Sequence, residues 1–317
     1  MSGIRDTGEA TLPVNAVDLA CQDDTNQVVS QSIDQVERKL LPSFFIVGPP
    51  RTGTSWLHEV LSAHTLLPSP AKETRFFDTH FHRGLKWYLA HYENSNGERR
   101  IGEVAPTYFA SSLARERMMR IVPDAKIVCI FRNPVARLVS LYRLKRAYGL
   151  IRWNLEQAIE HDPELMESSC YASNLKQWQQ SFGADNILAG IYDDLLDSPQ
   201  SFTDSVADFI GLSHFQLKAS QRRLVHHSKG MTYPRNYYGT RGAMMVADWM
   251  KARRLDRFVL AFKSSPLCKL VLGGGDPFPQ LPADISRRLY EMFRPEVEEL
   301  EDLLNRDLSS WKFQNAR

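Results

Sequence analysis

Short apolar runs alternate with helical spacings along most of this chain. FFIV at Phe44–Val47 and AKIVCIF at Ala125–Phe131 are near-continuous runs of strand length, the pattern of strands buried on both faces of a parallel sheet. IGEVAPTYF, Ile101–Phe109, reads as a shorter strand ended by Pro106, and NILAGIY, Asn186–Tyr192, as a further strand. Between them, helical spacing places Trp56, Leu57, Val60 and Leu61 on one face, and Leu138, Val139, Leu141 and Tyr142 on another. Helices are predicted over Leu113–Ile121, Val135–Tyr148, Ser168–Phe182, Pro199–Ile210 with Gly211 as its stop, and Ala283–Asn305. HRGLKWYLAHY, His82–Tyr92, also reads as a helix, with Leu85, Trp87, Tyr88 and Leu89 able to pack. Strands alternating with helices predict an α/β fold in three layers, α/β/α, around a central parallel sheet.

The pattern fails at both flanks. Residues 1–40 are polar: Met1 to about Asn26 reads as a tail, and Val28–Leu40 as a short helix leading into the first strand. Residues 41–317 read as a single domain, with 226–282 as loops and helices around a ligand. HHSKGMTYPRNYYGTRG, residues 226–242, is basic and aromatic without clear periodicity, and loops of that length are usually functional or disordered. GGGDPFP, residues 273–279, reads as a break.

Composition narrows the field. The 317 residues carry 39 basic and 37 acidic side chains, so nothing global argues for nucleic acid or a membrane surface. Cys21, Cys129, Cys170 and Cys268 form no CxxC pair, which fits neither a zinc site nor a disulfide framework; a reducing cytoplasm is the expected location. No run of 18 apolar residues occurs, and no basic segment followed by an apolar one opens the chain, so neither a membrane anchor nor a leader is expected. Oligomeric state is not readable from the sequence.

The candidate chemistry begins directly after the first strand, at Gly48-Pro49-Pro50-Arg51-Thr52-Gly53-Thr54-Ser55. Strand, glycine loop and helix start together present backbone N–H groups to an anion, with the helix dipole adding partial positive charge. The loop reads GxxxxGTS, one residue from the Walker form GxxxxGK[ST], with Thr54 where the nucleotide-hydrolase lysine stands. Arg51 is the cation inside it, and the hydroxyls of Thr52, Thr54 and Ser55 can surround an anion without a bridging metal. An ordinary βα turn has the same outline.

Two other stretches converge on the same end of the predicted sheet. Lys72-Glu73-Thr74-Arg75-Phe76-Phe77-Asp78 makes an odd surface loop and an odd strand; if Phe76 and Phe77 anchor it, Lys72, Glu73 and Arg75 are held near the loop mouth. A charged turn pinned by aromatics would look alike. Arg132-Asn133-Pro134 ends the AKIVCIF strand, and ligands of open α/β sheets bind beyond strand carboxyl ends. Arg132, and Ser140 two turns into the next helix, can therefore meet the ligand of Arg51, although Arg132 alone also suits a helix cap or a salt bridge.

Taken in order, PPRTGTSWL, KETRFFD, GLKWYL, EVAPTYF and FRNPVARLVSLY resemble the sulfotransferases that use 3′-phosphoadenosine 5′-phosphosulfate (PAPS), nearest the branch of heparan-sulfate-type domains and bacterial enzymes. The likeness covers roughly residues 42–212. It implies a P-loop NTPase-like fold, PAPS as donor with 3′,5′-ADP as product, and no metal. Residue by residue, it makes Arg51 the loop cation that contacts the transferring sulfuryl group. Thr52, Gly53, Thr54 and Ser55 become the phosphate cradle, Arg132 and Ser140 the 3′-phosphate pair, and Glu73 the general base. Lys229, Gly230, Arg235 and Arg241 resemble a late loop that closes over the nucleotide. His80, His82, His226 and His227 are rival bases.

Two departures stand out. The loop cation of the family is usually lysine, and arginine cannot give up its proton. The polysaccharide enzymes often carry a lysine in the EVAPTYF stretch, where this chain has Val104 or Ala105. The acceptor is thus open between a small molecule, a carrier-bound metabolite and a glycan, with residues 149–170 and 226–282, including Trp153, Tyr233, Tyr237, Tyr238 and Trp249, expected to line its site. A P-loop kinase and a non-catalytic nucleotide-binding module remain alternatives on the residues alone.

Overall fold

The computed structural model describes residues 38–92, 99–222, 232–252 and 274–313. The predicted tail and the helix over Val28–Leu40 lie almost wholly outside these. Four strands form one parallel sheet: β1 (Phe44–Gly48), β2 (Gly102–Val104), β3 (Lys126–Phe131) and β4 (Ile187–Ile191), in the order β2-β1-β3-β4. The helices that position the site are α1 (Thr54–Leu61), α2 (Ser112–Ile121), α3 (Pro134–Ala147), α4 (Tyr171–Phe182), α5 (Pro199–Ile210), α6 (Tyr237–Ala252) and α7 (Ala283–Leu304).

Alternation within the apolar runs explains the layers. Phe45, Val47, Ile127, Cys129 and Phe131 point to one face of the sheet, where they are sealed by Met118 of α2, Leu175 and Trp178 of α4, and Val297 and Leu300 of α7. Phe44, Ile46, Val128 and Ile130 point to the other, against Leu57 and Leu61 of α1 and Phe202, Val206 and Ile210 of α5. Truncating one such side chain to alanine typically costs about 2–5 kcal/mol. Local signals set the helix ends: Ser111 caps α2 by accepting from the Ala114 amide, Asn133 caps α3 from Ala136 with Pro134 as its first residue, and Gly211 ends α5 in the left-handed conformation.

From β1 the chain moves outward to β2 and then back across β1 to β3. The crevice at the carboxyl ends of β1 and β3 is therefore a topological switch point, the place where open α/β sheets bind ligands. The register between β1 and β3 shifts between Ile46 and Gly48, so β1 bends as it enters the glycine loop.

Four expectations are revised. The strand in IGEVAPTYF is only Gly102–Val104, because Pro106 opens a 3₁₀ turn over Pro106–Tyr108. KETRFFD is neither loop nor strand at its end: Phe76–His80 is one turn of π-helix, running through 3₁₀ at Phe81–Arg83 into a short helix, Gly84–Leu89. The stretch 226–242 is not featureless, for Thr232–Pro234 is a strand, β5, and α6 starts at Tyr237. The break at GGGDPFP contains its antiparallel partner, β6 (Gly274–Pro277).

Candidate active site

The loop between β1 and α1 has a backbone that only certain residues tolerate. Gly48 and Gly53 sit at φ 135° and 96°, and a Cβ on Gly53 would lie 2.7 Å from Leu195 Cδ2 and 3.2 Å from the Tyr192 ring. Arg51 also has positive φ, 77°, an uncommon state for a side chain of its size and one that clusters at functional loops. Thr52 is fully buried, and its hydroxyl donates to the carbonyls of Pro49 at 2.7 Å and Gly48 at 3.2 Å. Its hydroxyl thus closes the loop rather than facing a ligand, which revises the expectation that it surrounds an anion. Thr54 and Ser55 open α1, whose first amides lack intrahelical acceptors.

Three cationic groups gather here. Arg51 Nε donates to Ser140 Oγ at 2.9 Å, and Arg132 Nη1 donates to the Arg51 carbonyl at 3.2 Å. Arg132 also lies over the Tyr192 ring, 4.9 Å from its centroid. Burial, then the charge of Arg132, lowers the proton affinity of Arg51. Two guanidiniums held together in a partly dry crevice favour a multiply charged anion between them. The third group is Lys72, whose Nζ donates to Ser55 Oγ at 2.7 Å and brings the segment preceding Glu73 onto the loop.

Arg132 and Ser140 also line a cavity of about 310 Å³ with Val135, Ala136, Val139, Arg143, Leu281, Ser286 and Tyr290. Asn133 Nδ2 donates to Tyr290 Oη at 3.3 Å, which ties α7 to the start of α3. A charged end and apolar walls suit a phosphorylated nucleoside.

Glu73 is half-buried, between exposed Lys72 and buried Thr74. The two phenylalanines anchor this segment as the sequence suggested. Phe76 stacks on Tyr88 with centroids 4.5 Å apart, and Phe77 meets Phe45 and Tyr108 edge-on at 5.8 Å. Arg75 turns away to pair with Asp78 at 2.9 Å.

What sequence reasoning missed lies beneath them. Glu103 in β2 is fully buried and accepts from the Thr74 amide at 3.0 Å, Thr74 Oγ1 at 2.6 Å, Tyr88 Oη at 2.8 Å and Tyr108 Oη at 3.4 Å. Burial pushes its carboxyl up to about 7 despite these donors, with the charge of Glu73 adding to the rise. The available signal was a carboxylate inside a strand next to the most buried strand of the sheet, a position that demands partners.

Among the other expected residues, Lys229 and Gly230 lie outside the described residues, as do His226 and His227. Arg241 is exposed within α6 rather than in a loop. His80 is half-buried against Trp87, with centroids 5.5 Å apart, and its proton affinity is lowered by burial and Arg83. Tyr237 and Tyr238 come together under Arg152, whose guanidinium is 5.2 Å and 5.3 Å from their ring centroids. No helix among the described residues is long and apolar enough to cross a membrane.

Comparison with known proteins places this architecture. Residues 41–239 match the sulfotransferase domain, so the chain belongs to the PAPS-dependent sulfotransferase family. A human bifunctional heparan sulfate N-deacetylase/N-sulfotransferase 2 is 26% identical over 281 residues, covering 75% of this chain and 30% of the relative. The human heparan sulfate glucosamine 3-O-sulfotransferase 6 is 27% identical over 267 residues, covering 81% of this chain and 70% of the relative. The chain thus spans about 30% of the length of the bifunctional relatives it matches. In fold, it is similar to the crystal structure of a sulfotransferase from Alicyclobacillus acidocaldarius, with a TM-score of 0.61 at 21% identity, over 86% of this chain and 99% of that one. The family match removes the P-loop kinase from the alternatives.

Proposed function

We propose that this chain transfers the sulfuryl group of PAPS to a hydroxyl or amine. The observation that carries the proposal is the convergence of Arg51, Ser140 and Arg132 at the switch point, with Lys72, the residue before Glu73, bonded to Ser55 of the same loop. An acceptor lone pair attacks sulfur in line while the bond from sulfur to the bridging oxygen breaks. The electron pair of that bond goes to the 5′-phosphate, and the acceptor proton goes to Glu73. Arg51 and the loop amides stabilise the charge growing on the leaving phosphate, in a setting ordered before reaction. Arg132 and Ser140 hold the 3′-phosphate and select the donor. Arginines and amides can neutralise its sulfate and phosphates, so this reading implies no metal.

The acceptor is part of the proposal. The names of the relatives point to glucosamine in a heparan-type glycan. Val104 and Ala105 support a smaller or carrier-bound acceptor instead: both are fully buried, and neither offers a cation in the stretch where the polysaccharide enzymes often carry lysine. The test is 3′,5′-ADP release from PAPS with N-unsubstituted heparosan oligosaccharide in one arm and p-nitrophenol in the other. Release in either arm that depends on Glu73 supports sulfuryl transfer, and the productive arm assigns the acceptor class. Tight 3′,5′-ADP binding with no release in either arm favours a non-catalytic nucleotide-binding module.

A further inference from the structure

The Glu73 segment is held from below by a carboxylate with no place in the reaction as written. We propose that Glu103 is the positioning residue for Glu73: it fixes the backbone at Thr74, the residue bonded to Glu73. The proposal rests on Glu73 being the base.

The contacts form a clamp. Glu103 Oε1 takes both the amide and the hydroxyl of Thr74, the residue bonded to Glu73, while Oε2 takes Tyr88 Oη. Thr74 Oγ1 in turn accepts from the Phe76 amide at 3.1 Å, and Tyr108 Oη from the Phe77 amide at 3.3 Å. Residues 74–77 are thereby clamped to β2, whose Glu103 pairs in register with Phe45 of β1. The strand that launches the loop and the segment that carries Glu73 share one rigid reference. Holding a base in place before reaction is worth much of its catalytic effect, since small displacements of reacting groups are costly.

Burial and neighbouring groups set the protonation of Glu103. The groups facing Glu103 are Thr74, Tyr88, Tyr92, Tyr108 and Glu73, with Asp78 acting on Tyr108; burial raises all three tyrosines, so they face it as neutral phenols. Burial, with the charge of Glu73 adding to it, raises the proton affinity of Glu103, and the clamp on Thr74 is made by its oxygens whether or not it carries the proton.

Glu103→Gln keeps the size and one acceptor but removes the charge. With the productive acceptor from the heparosan and p-nitrophenol pair, we expect kcat to fall about tenfold or more with the donor KM within about twofold. Binding of 3′,5′-ADP should still raise the melting temperature as in the wild type. Unchanged kcat in folded Glu103→Gln would overturn the proposal. If Glu103→Gln does not fold, Thr74→Val, which deletes the 2.6 Å donor to Glu103 and the acceptor of the Phe76 amide, carries the test. It should lower kcat alone, and Thr74→Ser should restore it; no change in Thr74→Val would count against the clamp. Glu73→Gln assayed in parallel separates the two levels: normal turnover there ends the base assignment, whatever Glu103→Gln does.

Discussion

Arg51 and Ser140, 89 residues apart, are joined by a 2.9 Å hydrogen bond from Nε to Oγ. The bond couples the loop after β1 to the helix after β3, so the group expected at the sulfuryl end of the donor is wired to the group expected at its 3′-phosphate. Donor binding must share or replace this contact. Arg51→Ala should lower kcat by about a hundredfold, in the range for loss of one preorganised donor to a developing charge. The donor KM should rise much less, because the contact strengthens in the transition state. Steady-state constants for donor and acceptor check this, and a change confined to the donor KM would remove Arg51 from the chemical step.

Lys72 is the cation that the loop itself lacks at Thr54. With Nζ 2.7 Å from Ser55 Oγ, its ammonium stands at the start of α1, where the helix already favours anions. Lys72→Ala should reduce kcat/KM for PAPS by about tenfold, equivalent to the roughly 1.5 kcal/mol of a hydrogen bond to a charged group. Lys72→Arg should retain most of the activity, and parallel losses in both variants would show that the charge is not what matters.

Much of this arrangement is legible in the residues, because buried parallel strands and glycine loops leave strong patterns. FFIV followed by GPPRTG, and KIVCIF followed by RNP, place two strand ends and their arginines at one crevice. Glu103 escaped notice because a single acidic letter in IGEVAPTYF says nothing of the three hydroxyls and one amide that reach it from residues 74, 88 and 108. Those contacts are set by how β2 packs under the π-turn, which is a tertiary event. The hydroxyl of Thr52 was not legible for a related reason: a hydroxyl in an anion loop can face inward or outward, and here it faces Gly48 and Pro49. The start of α6 at Tyr237 and the β5–β6 pair were missed where glycine, proline and tyrosine blurred periodicity.

Stability should carry the signature of Glu103. Its folded pKa, about 7, lies above the ordinary 4.5. The native state therefore holds the proton more tightly than the unfolded chain, and stability falls as pH rises between those values. A rise of this size corresponds to at most about 3 kcal/mol at ~1.4 kcal/mol per unit. The contribution is fully present below 4.5 and lost as pH passes about 7. Urea denaturation from pH 4.5 to 8 should show this decline in the wild type and a flatter curve in Glu103→Gln. Equal slopes would place the proton elsewhere.

Glu73→Gln removes the proposed base while keeping near-isosteric volume. Turnover should fall by about 10²- to 10⁴-fold, the usual worth of a positioned base. Binding of 3′,5′-ADP should stay near normal. If turnover survives and instead collapses in His80→Ala or His82→Ala, the proton goes to that histidine.

Selection of a 3′-phosphorylated nucleotide at the crevice between β1 and β3 is the central claim, and calorimetric titration with 3′,5′-ADP and with ADP lacking the 3′-phosphate tests it without an acceptor. The wild type should bind 3′,5′-ADP at least about thirtyfold more tightly. Arg132→Ala should erase most of that difference, a loss of roughly 2–4 kcal/mol for a charge-assisted contact to a partly buried phosphate. Equal affinities of the wild type for the two nucleotides, or a preference that survives Arg132→Ala intact, would contradict the account.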